Sequence, residues 1–260
     1  MWRVTVVLVA VLLALSGAAW LILARQSSSM ATAQEMGKMA RGSLLAPLAN
    51  VKPGMAEAGP LLFVSVWVLM MVAMMFPSVA PMVLGYAVIV RQKEGRPVRW
   101  LKVGVFTGGY LLAWAAVGVG ALILNLAATL YLELPRPPWV LQAAGGAVLI
   151  AAGLYQFTAW KRTCLSHCRS SLAFFMHNWR PGVTGAVRMG MHHGTYCVGC
   201  CWGLMAVLFM IGLMNLAWMA LLSVVIAVEK LTPQGMLATR FVGSALVVSG
   251  FVMIVWRVLG

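Results

Sequence analysis

Apolar residues run along this chain in blocks too long for a water-soluble fold. They fall at about 4–24, 61–90, 101–128, 139–160, 186–214, 216–229 and 237–256, separated by short polar or basic stretches. A helix that crosses a bilayer needs roughly 20 apolar residues, within a range near 17–25. Six blocks reach that length. The block at 216–229 is short, so it must borrow from its neighbours, cross steeply or turn back. The pattern predicts an all-α fold: a polytopic transmembrane helical bundle of about seven helices, with six as the alternative. Helical bundles are the architecture this hydropathy pattern allows in lipid, because every backbone polar group there must be satisfied internally.

The same pattern divides the chain into three parts: an N-terminal transmembrane helix at 1–24, an extracytoplasmic methionine-containing loop at 25–59, and a six-helix membrane core at 60–260. Ser16-Gly17-Ala18 resembles a small-residue signal cleavage site. The apolar block nevertheless continues through Trp20 to Ala24, beyond the usual signal core, which favours a retained helix.

Composition agrees with this reading. Apolar residues make up 62% and charged residues 9% of the 260, with a mean hydropathy of +0.93; soluble domains are about half apolar and a quarter charged. Lys and Arg number 19 against 5 Asp and Glu. In a soluble protein that excess would suggest nucleic acid. Here the basic residues lie between apolar blocks, where they orient the chain and meet the headgroups of the lipid bilayer, and no nucleic-acid partner is expected. Arg91, Lys93, Arg96, Arg99 and Lys102 mark one cytoplasmic loop; Lys161, Arg162, Arg169, Arg180 and Arg188 mark another. The loop around Arg136, with Pro135, Pro137 and Pro138, then lies outside with 25–59. The N-terminus lies inside.

Soft metal-binding side chains crowd one block. His192, His193, Cys197, Cys200 and Cys201 lie within ten residues and hold three of the five cysteines and two of the four histidines. On a helix, His193, Cys197 and Cys200 fall within about a 60° sector, and Cys201 lies one turn beyond Cys197. Since His193 and Cys200 sit roughly 10 Å apart along the axis, further ligands must come from a facing helix. One buried cysteine is an ordinary small filler; this density beside a His-His pair points to metal. The second block carries Met70, Met71, Met74 and Met75 just before Pro77 and Pro81. Both prolines remove an intrahelical hydrogen bond and predict a kink. Methionine also fills cores flexibly, but this run lands at the depth of the cysteines. Cys164 and Cys168, with His167 between them, put two thiols on one helical face at the end of the fourth helix; alone they are too few for structural zinc. The 25–59 segment reads first as a disordered loop; its Met30, Met36, Met39 and Met55 thioethers offer an outer capture role as the alternative. An odd cysteine count and thiols confined to inner segments fit ligands or redox groups better than a disulfide framework.

Other features constrain the reading. Gly104/Gly108, Gly190/Gly194 and Gly199/Gly203 have the GxxxG spacing of close-packed membrane helices. Glu229 is the sole acid bordering the last three helices and lies beside Lys230; it is either an intramembrane carboxylate or an edge residue paired with that lysine. The chain has no GxxxxGK[ST] loop, which argues against ATP-driven pumping, and no aspartate for a Ser-His-Asp triad. Catalysis is not the leading reading, and whether the chain is an enzyme stays open.

The run Met70-Met71-Val-Ala-Met74-Met75-Phe-Pro77-Ser-Val-Ala-Pro81, the segment Lys161-Arg-Thr-Cys164-Leu-Ser-His-Cys168, and Gly199-Cys200-Cys201-Trp202-Gly-Leu-Met205 continuing to Glu229-Lys230 resemble a bacterial family described as predicted metal-binding integral membrane proteins. The resemblance covers roughly 60–255. It implies a multi-pass protein of the bacterial inner membrane that binds metal.

The expected function is binding of a soft metal ion, most readily Cu(I) with Zn(II) as a second choice, for transport or delivery across the inner membrane. The candidate metal residues are Cys197, Cys200, Cys201, His192, His193, Met70, Met71, Met74, Met75, Cys164 and Cys168, and the expected partner is a metallochaperone or recipient metalloprotein. Two alternatives stand beside it: a membrane thiol–disulfide oxidoreductase using Cys197/Cys200 with Cys164/Cys168, and a non-catalytic assembly subunit in which the clusters only pack.

Overall fold

The computed structural model describes the backbone of residues 2–40, 59–93, 96–132, 138–211 and 215–259, and side chains over 4–27, 59–91, 98–124, 126–127, 142–210 and 215–256. The regular elements are all helices: α1 (Trp2–Ala40), α2 (Pro60–Lys93), α3 (Arg96–Leu132), α4 (Pro138–Tyr155), α5 (Ala159–Arg169), α6 (Ser171–Asn178), α7 (Gly182–Ile211), α8 (Leu216–Leu231) and α9 (Gly235–Leu259). Five contain stretches long and apolar enough to cross a membrane: Val4–Ser27, Pro60–Arg91, Val98–Leu124, Gly182–Met210 and Gly235–Trp256. A sixth exists if α4 and α5, bent by 62° at their junction, count as one span. The all-helical bundle is as the hydropathy pattern predicts, with five to six such spans among the described residues. The short block has become α8, whose 16 residues extend only about 24 Å.

Two segments read as loops are helical. Residues 25–40 continue α1, so Met30, Met36 and Met39 lie on helical backbone while their side chains fall outside the description. Met55 and the loop around Arg136 also lie outside the described residues. The basic stretch 161–188 folds as α5, α6 and the start of α7. Helix α5 is amphipathic at short range: Lys161 and Leu165 are buried, Cys164 and Cys168 half-buried, and Arg162, Thr163 and Ser166 exposed. Thr158 caps its start, its hydroxyl oxygen accepting from the Lys161 amide at 3.3 Å. A charge-rich stretch this short reads as loop because its inward face offers a single leucine, Leu165, beside lysine and cysteine.

The helices pack by close backbone approach. On α2, Pro77 has no N–H to give the carbonyl of Ala73 one turn earlier. That carbonyl instead accepts the Ser16 hydroxyl at 2.7 Å and the Trp20 indole N–H at 3.1 Å, both from α1. Helix α3 lies antiparallel to α2, with the Trp67 indole donating to the Trp114 carbonyl at 2.9 Å and Tyr86 stacked on Phe106 at 4.7 Å. Helices α3 and α7 run parallel: Gly109 packs on Val187, Gly190 on Phe106 and Gly194 on Ala113. Parallel neighbours require the intervening chain to return, and α4 to α6 make that return. Helices α4 and α9 run antiparallel, Gly146 meeting Gly250 and Gly153 meeting Gly243. Of the expected glycine pairs, Gly190/Gly194 and Gly199/Gly203 face neighbours, whereas Gly104 and Gly108 face open space. Gly109 makes the α3 contact instead.

Asn215 caps α8, its side-chain oxygen accepting from the Trp218 amide at 3.2 Å. Helix α8 then runs back along α7 and ends in a turn where the Arg169 guanidinium donates to the carbonyls of Thr232 at 2.6 Å and Pro233 at 3.3 Å. The core lies among α2, α3, α7 and α8, where Met71, Met74, Met75, Phe106, Tyr110, Leu208 and Ile226 are fully buried.

Candidate metal centre

Residues 197, 200 and 201 occupy one face of α7 because three and four residues nearly complete a helical turn. The consequence is a cluster in which the Cys197, Cys200 and Cys201 sulfurs all lie within 4.8 Å of one another, each residue 1% exposed. The Cys200 and Cys201 thiols both donate to the Cys197 carbonyl, at 3.1 and 2.9 Å. That shared acceptor turns the two side chains the same way. All five cysteines are free thiols.

A fourth sulfur comes from α5. Cys168 Sγ lies 3.8 Å from Cys200 Sγ. Metal–thiolate bonds of about 2.3 Å set sulfurs about 4.0 Å apart in a trigonal site and about 3.8 Å apart in a tetrahedral one. The spacing therefore suits a thiophilic ion with little rearrangement. Cys164, one turn earlier on α5, rests its sulfur over Gly199, where any side chain would collide with it. The Tyr155 hydroxyl donates to the Gly199 carbonyl and holds the α4–α5 bend against this same stretch of α7.

Two polar side chains reach the cluster from elsewhere. The Tyr110 hydroxyl of α3 lies 3.1 Å from Cys197 Sγ. The Lys230 ammonium of α8 donates to Cys197 Sγ at 3.0 Å and lies 3.8 Å from Met75 Sδ on α2. Glu229, the one acid whose side chain is described, turns away from Lys230 and accepts from Lys161 Nζ at 2.7 Å. Lys161 and Glu229 are each 1% exposed. A buried carboxylate thus has its own ammonium, while the second ammonium, Lys230, faces sulfur. Burying a charge is costly without a partner of opposite sign, so this arrangement favours negative charge on the cysteine cluster.

The remaining candidates divide. Met70, Met71 and Met74 are buried on α2 with Met75, and Met75 is the one the Lys230 contact ties to the cysteines. His193, one turn before Cys197, is buried among Phe106, Tyr110 and Phe174, and its Nδ1 has no hydrogen-bond partner. His192 points to the exposed side of α7, where its ring lies 4.9 Å from Tyr196. His167 of α5 stacks on the same Tyr196 at 4.3 Å.

Sequence reasoning missed Tyr110, Lys161 and Lys230 as site residues. Part of this was available: adjacent residues on a helix diverge by 100° and do not face each other, so Glu229 and Lys230 had to find separate partners. The partners themselves, 68 and 33 residues away, left no signal.

Residues 64–253 match the model of a family described as PpoB2, copper chaperone. No curated protein and no solved structure matches.

Proposed function

The chain belongs to the PpoB2 copper chaperone family, and from that premise we propose that it binds Cu(I) inside a multi-pass bundle in the bacterial inner membrane and passes it to a recipient metalloprotein. The observation that carries this reading is the convergence of the Cys197, Cys200 and Cys201 sulfurs, with Cys168 of α5 beside Cys200. Thiolates and thioethers are ligands that a soft monovalent ion prefers; Zn(II) accepts the thiolates but suits a neighbouring thioether less well. The unpartnered Nδ1 of buried His193 supports a further ligand on the same face of α7, since buried polar atoms are rarely left unsatisfied.

In this reading the ion arrives on the methionine face of α2 and exchanges from Met75 to Cys197, Cys200 and Cys201. Thioethers bind without losing a proton, whereas thiols must release one, so ligand strength rises along that step. Cys168 and Cys164, half-buried on α5, and the exposed His192 offer the way out. Met70, Met71 and Met74 keep the α2 side soft and apolar.

The test is elemental analysis of the detergent-purified protein, kept reduced, beside a variant with Cys197, Cys200 and Cys201 all replaced by Ser. About one copper or more per chain, lost in a variant that still inserts, is the expected result. A protein that takes up no metal even after reconstitution with Cu(I) would sink the reading and turn attention to thiol redox chemistry.

A further inference from the structure

Lys230 is the most unusual side chain in the core. Its ammonium is buried, with 6% of the residue exposed. Glu229, the one carboxylate whose side chain is described, is committed to Lys161 at 2.7 Å. What Lys230 touches is sulfur: Cys197 Sγ at 3.0 Å and Met75 Sδ at 3.8 Å. The ammonium therefore lies between the thioether of α2 and the first thiol of α7, where an ion shared by those two ligands would have to sit.

We propose that Lys230 is an internal competitor for the metal ion, holding the place between Met75 and Cys197 and yielding it when the ion binds. This rests on the copper reading above and adds the residue that governs release. The sulfur lone pair that accepts the ammonium N–H is one an incoming ion would use. Exchange breaks the S···H–N hydrogen bond and forms an S–metal bond, while the ammonium keeps its three protons. Two positive charges a few ångströms apart in a buried setting repel strongly, so ion and ammonium do not share Cys197. Lysine suits the role because it is a compact point charge on a flexible four-carbon stem, free to swing aside and return. Its return pushes the ion towards Cys200, Cys201 and Cys168. A site of three or four thiols would otherwise store copper; with this competitor built in, it hands copper on.

The experiment uses the full-length protein in detergent, loaded with Cu(I) under reducing conditions and mixed with a chromophoric Cu(I) chelator. Wild type is compared with Lys230→Leu, which removes charge without adding a ligand, and with Lys230→Arg, which keeps the charge. The expected result, read per copper bound, is release slowed at least about tenfold in Lys230→Leu and release near the wild-type rate in Lys230→Arg. A purely structural lysine would not separate the charged from the neutral replacement in this way. If Lys230→Leu fails to fold, as judged by size exclusion and helicity, Lys230→Gln takes its place with the same expectation. Copper-loaded neutral variants that release at the wild-type rate or faster overturn the proposal. A wild-type protein that takes up no Cu(I) at all overturns the copper reading itself, so the two failures are distinct.

Discussion

Lys161 and Glu229 show how much a single pair of side chains carries in an apolar bundle. Both are 1% exposed and joined at 2.7 Å, and Glu229 Oε1 has no partner of its own. Removing one member strands the other, a change that costs about 3–5 kcal/mol where it has been examined in buried pairs. Lys161→Ala should therefore lower thermal stability in detergent sharply, whereas the double replacement Lys161→Met with Glu229→Leu should recover most of the loss. A double variant no more stable than the single one would show that packing, not charge, holds α5 to α8. Cys168 gives a second test at this scale. Under the proposed function, Cys168→Ser should keep copper at the wild-type content but weaken its retention against a competing chelator by about tenfold, in line with losses of 10–100-fold for supporting groups at metal sites. At this scale the sequence was half legible. The cysteines announced themselves by density and helical spacing, whereas Tyr110 and the two lysines are ordinary residues whose roles arise only from what folding brings beside them.

At the scale of elements, Pro77 of α2 matters to α1 as well as to its own helix. The Ala73 carbonyl freed by Pro77 becomes the acceptor through which α1 docks, by way of Ser16 and Trp20. Ser16→Ala should cost about 1 kcal/mol, the usual worth of a buried hydrogen bond. In a Pro77→Ala background the restored intrahelical donor should satisfy that carbonyl, and the Ser16→Ala penalty should shrink; a stability double-mutant cycle measures this, and strict additivity would refute the coupling. Glycines supply a parallel contrast. Gly190→Ala drives a methyl group into the Phe106 backbone and should destabilise the α3–α7 contact by about 1–3 kcal/mol. Gly104→Ala and Gly108→Ala, which meet nothing within 4 Å, should be neutral or slightly stabilising. The freed carbonyl was legible because a proline within a helix always lacks the N–H that the carbonyl one turn earlier would accept. The choice among glycines was not, since GxxxG spacing marks a face and not the helix it meets.

For the molecule as a whole, block length and composition foretold the helical bundle and the shortness of α8. They misjudged 161–188, because a polar eleven-residue helix wedged against α7 has no hydropathic signature. The arrangement makes a prediction about access. Cys164 and Cys168 are half-buried, while Cys197, Cys200 and Cys201 are 1% exposed. A bulky polar maleimide should modify the first two well before the other three in the native protein, and all five after denaturation. Mass mapping that finds equal rates would contradict the packing of α5 on α7. The fastening of α5 also has a biosynthetic side. Its two ends are held by Glu229 and by the Thr232–Pro233 carbonyls, so Lys161 precedes its partner by 68 residues and Arg169 precedes the Thr232 carbonyl by 63. At about 5–20 residues per second, roughly 3–14 s separate the synthesis of each basic group from that of its partner. During that interval Lys161 lacks its Glu229 partner and α5 lacks the fastenings that place Cys168 beside Cys200. The fastening that sets Cys168 beside Cys200 is completed only with α8, so under the proposed function metal loading follows the synthesis of that helix rather than preceding it.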